Sequence, residues 1–180
     1  MDLTKTSKFL SLILRHKPEV IDITLDEHGW ADIDELIDGI NTHDKKYNID
    51  RVILNEIVKT DEKQRYTISP DGKLIRANQG HSIPVDVELK ETEPPEQLFH
   101  GTADRFSKSI EQQGLLPQSR LYVHLSKDIQ TAEKVGMRHG KPIVYCVNSG
   151  EMFRQGYKFY ISANSVWLTK NVPPQFLTKI

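Results

Sequence analysis

The sequence holds a single cysteine, Cys146, in 180 residues, so no intrachain disulfide can form and no cysteine-based zinc site exists. Ten Gly and nine Pro are too few for a fibrous or low-complexity chain. No apolar run approaches the roughly 18 residues of a membrane span. The longest near the N-terminus, Phe9 to Leu14, is interrupted by Ser11. The opening residues, MDLTKTSK, lack the apolar stretch and small-residue cleavage site of a secretory leader. There is no G-x-G-x-x-G, no G-x-x-x-x-G-K-[ST], no H-E-x-x-H and no G-x-S-x-G. The seven histidines never fall at close metal-ligand spacing. Neither sign of charge dominates: 24 Lys+Arg stand against 25 Asp+Glu, a net of -1, which excludes a strongly basic, non-specific nucleic-acid coat. These absences predict a cytoplasmic protein that works without a metal.

A composition of 37% hydrophobic and 27% charged residues is that of a soluble globular chain, one large domain or two small ones. Residues 1–90 carry 13 Lys+Arg against 17 Asp+Glu, and residues 91–180 carry 11 against 8. The change of sign suggests two lobes, and a few placed arginines can still build a local anion site.

The pattern along residues 1–84 predicts three helices and a hairpin. Phe9, Leu12, Ile13 and His16 share one helical face, with Leu10 and Leu14 beside it, and Pro18 stops the helix. Asp32, followed three residues later by Glu35, has the form of a capping box before Ile33, Leu36, Ile37 and Ile40. A third helix covers Asp50 to Lys59, with Val52, Ile53 and Ile57, and Leu54 beside them, on its buried side. Arg65–Ile68 and Lys73–Arg76 flank Ser69-Pro70-Asp71-Gly72 as a strand, turn and strand. Three helices and a hairpin, in this order, make a winged helix. Residues 85–97, VDVELKETEPPEQ, are acidic and contain Pro94-Pro95, so they read as a linker. Residues 98–180 alternate short strands and helices, which predicts an α+β lobe. Its elements are strands at Leu98–His100, Leu121–Leu125, Pro142–Val147, Tyr157–Ile161 and Val166–Leu168. Helices fall at Ala103–Gln113, with Gly114 as C-cap, and at Asp128–Met137, with Asp128 as N-cap.

Several residues can carry chemistry, each with a plainer reading beside it. Arg15 and His16 suit a helix C-terminus, and a histidine on an apolar face is usually a satisfied core residue; together they can also form an anion pocket. Lys63-Gln64-Arg65 opens the first wing strand and equally suits a solvated edge. Arg76 to Ser82 is dense in donors around Gly80, as a polar exit loop or a ligand-facing one. His100-Gly101-Thr102 lies between a strand and a helix, where free N–H groups can receive a phosphate or a ribose. Arg120, His124 and Ser126 follow within eight positions. His124 alternates with Val123 and Leu125, so it faces away from them. Gly136 to Gly140 is a turn whose Arg138 and His139 also suit a helix end. Cys146 lies in the apolar strand Ile143–Val147 and reads as core.

Taken in order, these segments resemble the tRNA/RNA 2′-phosphotransferases that use NAD. The resemblance runs through Ser7–His16, Asp26-Glu27-His28-Gly29-Trp30, Lys63–Tyr66, Arg76–Ser82, His100-Gly101-Thr102, Val123–Ser126, Gly136–Gly140 and Asn164–Leu168. Each piece is weak alone; eight in order over about 160 residues are specific. The resemblance implies a winged-helix RNA lobe over 1–84 and an ADP-ribosyltransferase-like lobe over 98–180. It implies an enzyme that removes an internal 2′-monophosphate from RNA. In the first step the 2′-phosphate attacks C1 of the nicotinamide ribose of NAD and expels nicotinamide. In the second, the ribose 2-hydroxyl attacks the phosphate, which frees the RNA 2′-OH and ADP-ribose 1″,2″-cyclic phosphate. The family's catalytic group falls on Arg15, His16, Arg65 and Arg120. Its NAD-binding residues fall on His100, Gly101, Thr102, His124, Ser126, Gly136, Arg138 and His139. The expected partners are 2′-phosphorylated RNA and NAD, with no membrane and no metal, and the expected state is a monomer. Because the catalytic group draws on both lobes, the resemblance implies a site in a cleft between them.

The chemistry agrees: an arginine fork suits a phosphate bidentately and stabilises charge on its oxygens. A protein ADP-ribosyltransferase would need a glutamate near the last strands. None lies around Val166, and the nearest carboxylate upstream is Glu151. A winged-helix NAD sensor would need a basic third helix, whereas Arg51 and Lys59 are matched there by Asp50 and Glu56. ADP-ribosylation of terminal phosphates on nucleic acid stays open as a side activity, since the first step needs only a phosphate nucleophile.

Overall fold

The computed structural model describes residues 3–180; Met1 and Asp2, on which the leader reading partly rests, lie outside the described residues. The chain is α+β, with six α-helices and small antiparallel sheets among the described residues. It divides into two units, Met1–Glu88 and Leu89–Ile180.

In the first unit, α1 (Leu3–Arg15) buries Thr6, Leu10, Ile13 and Leu14, the i, i+4, i+7, i+8 set of one face. Leu12 was expected on that face but stands 36% exposed, and Phe9 is only partly buried, stacked 5.0 Å from Tyr47 and 5.6 Å from His43. Strand β1 (Trp30–Asp32) leads into α2 (Ile33–His43), whose cap is Asp32 accepting from the N–H groups of Asp34 and Glu35. Asp50 caps α3 (Arg51–Thr60) by accepting from Ile53 N at 2.8 Å. At 100° per residue Ile53, Leu54 and Ile57 share one side of α3: Leu54 and Ile57 are buried, and Val52, expected inside, is 75% exposed. Strands β2 (Tyr66–Ile68) and β3 (Leu74–Ala77) form the hairpin, with Gly72 at φ +72° in its turn. β1 adds to β3, Trp30 opposite Arg76, giving the order β1-β3-β2.

The second unit contains β4 (Lys90–Glu91), β5 (Leu98–Ala103), α4 (Ser107–Gln113), β6 (Val123–Leu125), α5 (Ile129–Gly136), β7 (Pro142–Val147), α6 (Ser149–Arg154), β8 (Phe159–Ile161), β9 (Trp167–Thr169) and β10 (Leu177–Lys179). One sheet runs β10-β7-β5 and the other β4-β8-β9-β6, both antiparallel. An isolated bridge joins them: Phe99 and Ser126 exchange backbone hydrogen bonds at 2.8 and 2.7 Å. Leu98, Leu125, Tyr145, Val147, Met152 and Phe159 fill the core. Cys146, expected inside, is half-buried because it alternates with the buried Tyr145 and Val147, and burial raises its thiol pKa. Helix α5 lies directly on β5. A Cβ on Gly101 would fall 1.6 Å from the Ala132 carbonyl oxygen, and one on Gly136 would fall 2.7 Å from that of Thr102.

Residues 85–97, read as a linker, are tied down on both sides of the division. Asp86 N donates to Glu27 O at 2.9 Å and Glu88 pairs with Arg76 at 3.0 Å. Beyond the division, Glu91 pairs with Lys158 and Glu96 with Arg154. Three of its five carboxylates are thus met by a cation of the unit they border. Such exposed pairs contribute register more than stability.

Candidate functional site

Helix α1 carries Arg15 and His16 to its C-terminal end, where the chain leaving β3 meets them. Ser82 N donates to the Arg15 carbonyl at 3.0 Å, and Ser82 Oγ lies 2.9 Å from His16 Nδ1. Gly80, at φ +89°, lies against the Arg15 guanidinium, with its missing Cβ 3.5 Å from Cζ. That is ordinary contact, so the left-handed backbone rather than space calls for glycine. At the other end of the segment, Asn78 is buried. Its N–H donates to Arg65 O (2.8 Å), its Nδ2 donates to Gln64 O (2.7 Å) and its Oδ1 accepts from Thr67 Oγ1 (2.6 Å). One segment, Asn78–Ser82, thus touches all three candidate residues of the first unit.

His81, in the same segment, is 3% exposed, and its Nε2 is buried without a hydrogen-bond partner among the described residues. Burial, then the charges of Arg15, His16 and Arg76, push its pKa down to about 4. The unfolded chain, with the ordinary value near 6.5, therefore binds more protons between those limits. The native state keeps its full stability above pH 6.5 and loses roughly 3 kcal/mol from this group as pH falls towards 4. We expect His81→Phe to lose that much less than the parent between pH 6.5 and 4, as read from denaturant midpoints. Parallel pH curves for the two proteins would refute the assignment.

Arg65 stands further along α1. Its Nη1 is 2.7 Å from Asp61 Oδ1 and 3.3 Å from Ser7 Oγ. Ser7, Ser11 and Arg15 form one i, i+4, i+8 row that faces Arg65, Tyr66 and Gly80. The Cα atoms at the ends of that row are separated by ~12 Å of helix. The structure thus joins Arg15 and His16 in one cluster and holds Arg65 against Asp61 at the far end of the same helix row.

In the second unit, β5 and β6 hold His100 and His124. His124 faces away from the buried Val123 and Leu125, as alternation predicts. His100 Nδ1 lies 3.0 Å from the carbonyl oxygen of His124, which can only accept, so Nδ1 carries the proton. Burial, and after it the nearby His139 and Arg120, lowers the His100 pKa against the raising effect of that hydrogen bond. The ring is therefore neutral at pH 7, with Nε2 an acceptor. Arg120 Nη1 approaches His124 Nδ1 at 3.4 Å. A guanidinium only donates, so this contact favours the proton on His124 Nε2. The two rings thus offer an acceptor and a donor, the complement of a hydroxyl pair. Desolvation lowers the Arg120 pKa, and it stays a cation.

The remaining candidates serve in different ways. Gly101, Thr102 and Gly136 form the seam where α5 meets β5, and Thr102 is buried. Ser126 contributes its backbone to the bridge with Phe99. Arg138 and His139 are exposed in the turn Met137–His139, with His139 close enough to act on His100. Asp61, Asn78 and Ser82 were not foreseen as partners of the arginines and His16. For Asp61 the signal was its i, i+4 spacing to Arg65; the His16–Ser82 contact spans 66 residues and left none.

Comparison with known proteins places these residues in company. A family model described as RNA 2'-phosphotransferase, Tpt1 / KptA family, matches residues 2–171. A "Probable RNA 2'-phosphotransferase" of Flavobacterium johnsoniae is 52% identical over 172 residues, 95% of this chain and 93% of the relative. Proteins of the same description from Hahella chejuensis and Rhodopirellula baltica are 49% and 50% identical. They cover 98% of this chain, and 94% and 95% of their own.

Proposed function

The chain belongs to the RNA 2'-phosphotransferase, Tpt1 / KptA family, and from that premise we propose that it moves an internal RNA 2′-phosphate onto NAD. The observation that carries the proposal is the Arg15–His16 pair fixed by Ser82 at the end of α1, with Arg65 further along the same row. These are a few placed donors rather than a continuous basic track, which suits recognition of single phosphates and not of a long backbone. The order α1-β1-α2-α3-β2-β3 supports reading the first unit as a winged helix. Two short antiparallel sheets joined at Phe99–Ser126 support reading the second as an ADP-ribosyltransferase-like lobe.

NAD supplies a ribose C1 with nicotinamide as leaving group. The RNA 2′-phosphate attacks that carbon, giving 2′-phospho-ADP-ribosylated RNA. The ribose 2-hydroxyl then attacks phosphorus, and RNA O2′ departs with a proton, leaving ADP-ribose 1″,2″-cyclic phosphate. Arg15 and Arg65 meet the phosphate oxygens and His16 is placed for proton transfer, while Arg120 supplies the cation beside His124 in the second unit. His100 Nε2 accepts from a ribose hydroxyl, and His124 donates to one. His139 acts on His100, Ser126 follows His124 by two residues, and the Gly101–Thr102–Gly136 seam sets the position of His100. The deciding experiment is incubation with a 2′-phosphorylated oligoribonucleotide with and without NAD. Phosphate loss that requires NAD supports the reading; loss without NAD, or none with it, rejects it.

Two further outcomes follow. His100→Ala and His124→Ala should mainly raise the KM for NAD, because they remove binding shared by ground and transition states. A large fall in kcat at unchanged KM would contradict that role. Among the described residues, no group of three or more His, Cys, Asp or Glu could hold a metal ion. We expect turnover to persist in excess EDTA; loss restored by a divalent ion would defeat the arginine-based mechanism.

A further inference from the structure

We propose that Asp61 is a positioning residue that presents one edge of Arg65 to the phosphate; the proposal rests on the functional reading above. Asp61 follows α3, and its carboxylate is 5% exposed. It ties the segment that carries Arg65 at three points. Its carbonyl accepts from Gln64 N (2.8 Å), Oδ2 from Arg65 N (2.6 Å) and Oδ1 from Arg65 Nη1 (2.7 Å). Gln64 passes through φ +45°, so the turn is closed at some backbone cost, and Asn78 holds its carbonyl from the other side. A nearly buried carboxylate requires a cation, and Arg65 is the one it meets.

The geometry divides the guanidinium. Nη1 serves Asp61 and Ser7, while Nε and Nη2 have no hydrogen-bond partner among the described residues. Those two donors lie along the edge that matches two oxygens of a phosphate. An arginine held only by its flexible stem would have to order its side chain on each binding event. One clamped at Nη1 has already lost that freedom. Asp61 need not touch substrate; it acts through Arg65.

The test uses the full chain and the variants Asp61→Asn, Asp61→Glu, Arg65→Ala and Asp61→Asn with Arg65→Ala. Asp61→Asn should lower kcat on a 2′-phosphorylated oligoribonucleotide by about tenfold, with the KM for NAD unchanged. It should accumulate the same intermediate as Arg65→Ala and add no further loss in the double variant. Asp61→Glu should recover part of the rate. Additive losses, each matched by a fall in melting temperature, would mean a merely structural role and overturn the proposal. A second readout is independent of turnover: the 15N NMR signals of the Arg65 side chain should be distinct in the parent and join the mobile arginines in Asp61→Asn. Unchanged signals overturn the proposal whether or not RNA is consumed. A parent inert towards RNA and NAD, with those signals still collapsing, would sink the functional reading while supporting the clamp.

Discussion

Arg65→Ala and His16→Ala are expected to halt the reaction midway, accumulating RNA that carries ADP-ribose on its 2′-phosphate. In the reaction proposed above, the first step makes a bond at carbon, and the phosphate enters as an anion that needs only to be positioned. In the second step phosphorus itself is attacked, charge builds on its oxygens and O2′ must leave with a proton. Groups whose contact strengthens with that charge lower the second barrier more than the first. Arg65, clamped with a two-donor edge left over, and His16, its Nδ1 held by Ser82, are such groups. Loss of one charge-assisted contact costs roughly 1.5–3 kcal/mol, about ten- to a hundredfold in rate. On a denaturing gel the intermediate separates from substrate and product by its extra ADP-ribose. Variants that are slow with no intermediate at any time point would assign these residues to the first step or to binding.

The second large effect belongs to Gly101. A valine there is expected to unfold the second unit rather than weaken it. Its Cβ would lie 1.6 Å from the Ala132 oxygen and 2.3 Å from the Ala132 carbonyl carbon, so the obstacle is backbone and no rotamer avoids it. Helix α5 would have to lift off β5, exposing the seam shared with Gly136 and Thr102. Ordinary overpacking costs ~1–3 kcal/mol, and a backbone-to-backbone clash belongs at or beyond the upper end of single-residue effects, ~4–5 kcal/mol. Gly72→Ala is the contrasting case. It meets no atom within 4 Å, so only its φ of +72° resists, on the order of 1 kcal/mol. The two tryptophans separate the units, Trp30 lying in the first and Trp167 in the second. Fluorescence of single-tryptophan versions should show Trp167 exposed in Gly101→Val and Trp30 still native. Cooperative, parent-like melting of Trp167 would contradict the packing argument.

What could be read beforehand follows from how local each signal was. Asp32, Asp50 and Asp128 each begin a helix as expected, because a cap is a contact between near neighbours. The hairpin was legible for the same reason, its turn residues being adjacent. Strand β1 and helix α6 escaped because three and six residues are too few for a period to show. Leu12 and Val52 were misplaced because apolar character marks several positions while the phase of the helix selects among them. Ala103 ends β5, and a 3-10 turn at Asp104–Phe106 precedes α4, where a single helix from Ala103 was expected. At the site, Arg120 and His124 are four apart and meet, and Arg15 and His16 are neighbours; these were within reach of sequence. The roles of Ser82, Asn78 and Gly101 depend on segments brought together only by folding. For Gly101 in particular, a glycine beside a histidine suggests a ligand, while the space it leaves is filled by Ala132.

The bridge between Phe99 and Ser126 bears on how this protein would look to a mutational survey. It sits one residue before His100 and two after His124, and it consists of two main-chain hydrogen bonds. Side-chain truncation leaves both intact, so an alanine scan would not register the peptide group at Ser126 that holds the histidines in register. Replacing the Ser126 amide by an ester removes that donor and also weakens the Leu125 carbonyl as an acceptor, while leaving the side chains unchanged. A backbone edit of this kind reads what the position does where side-chain truncation cannot.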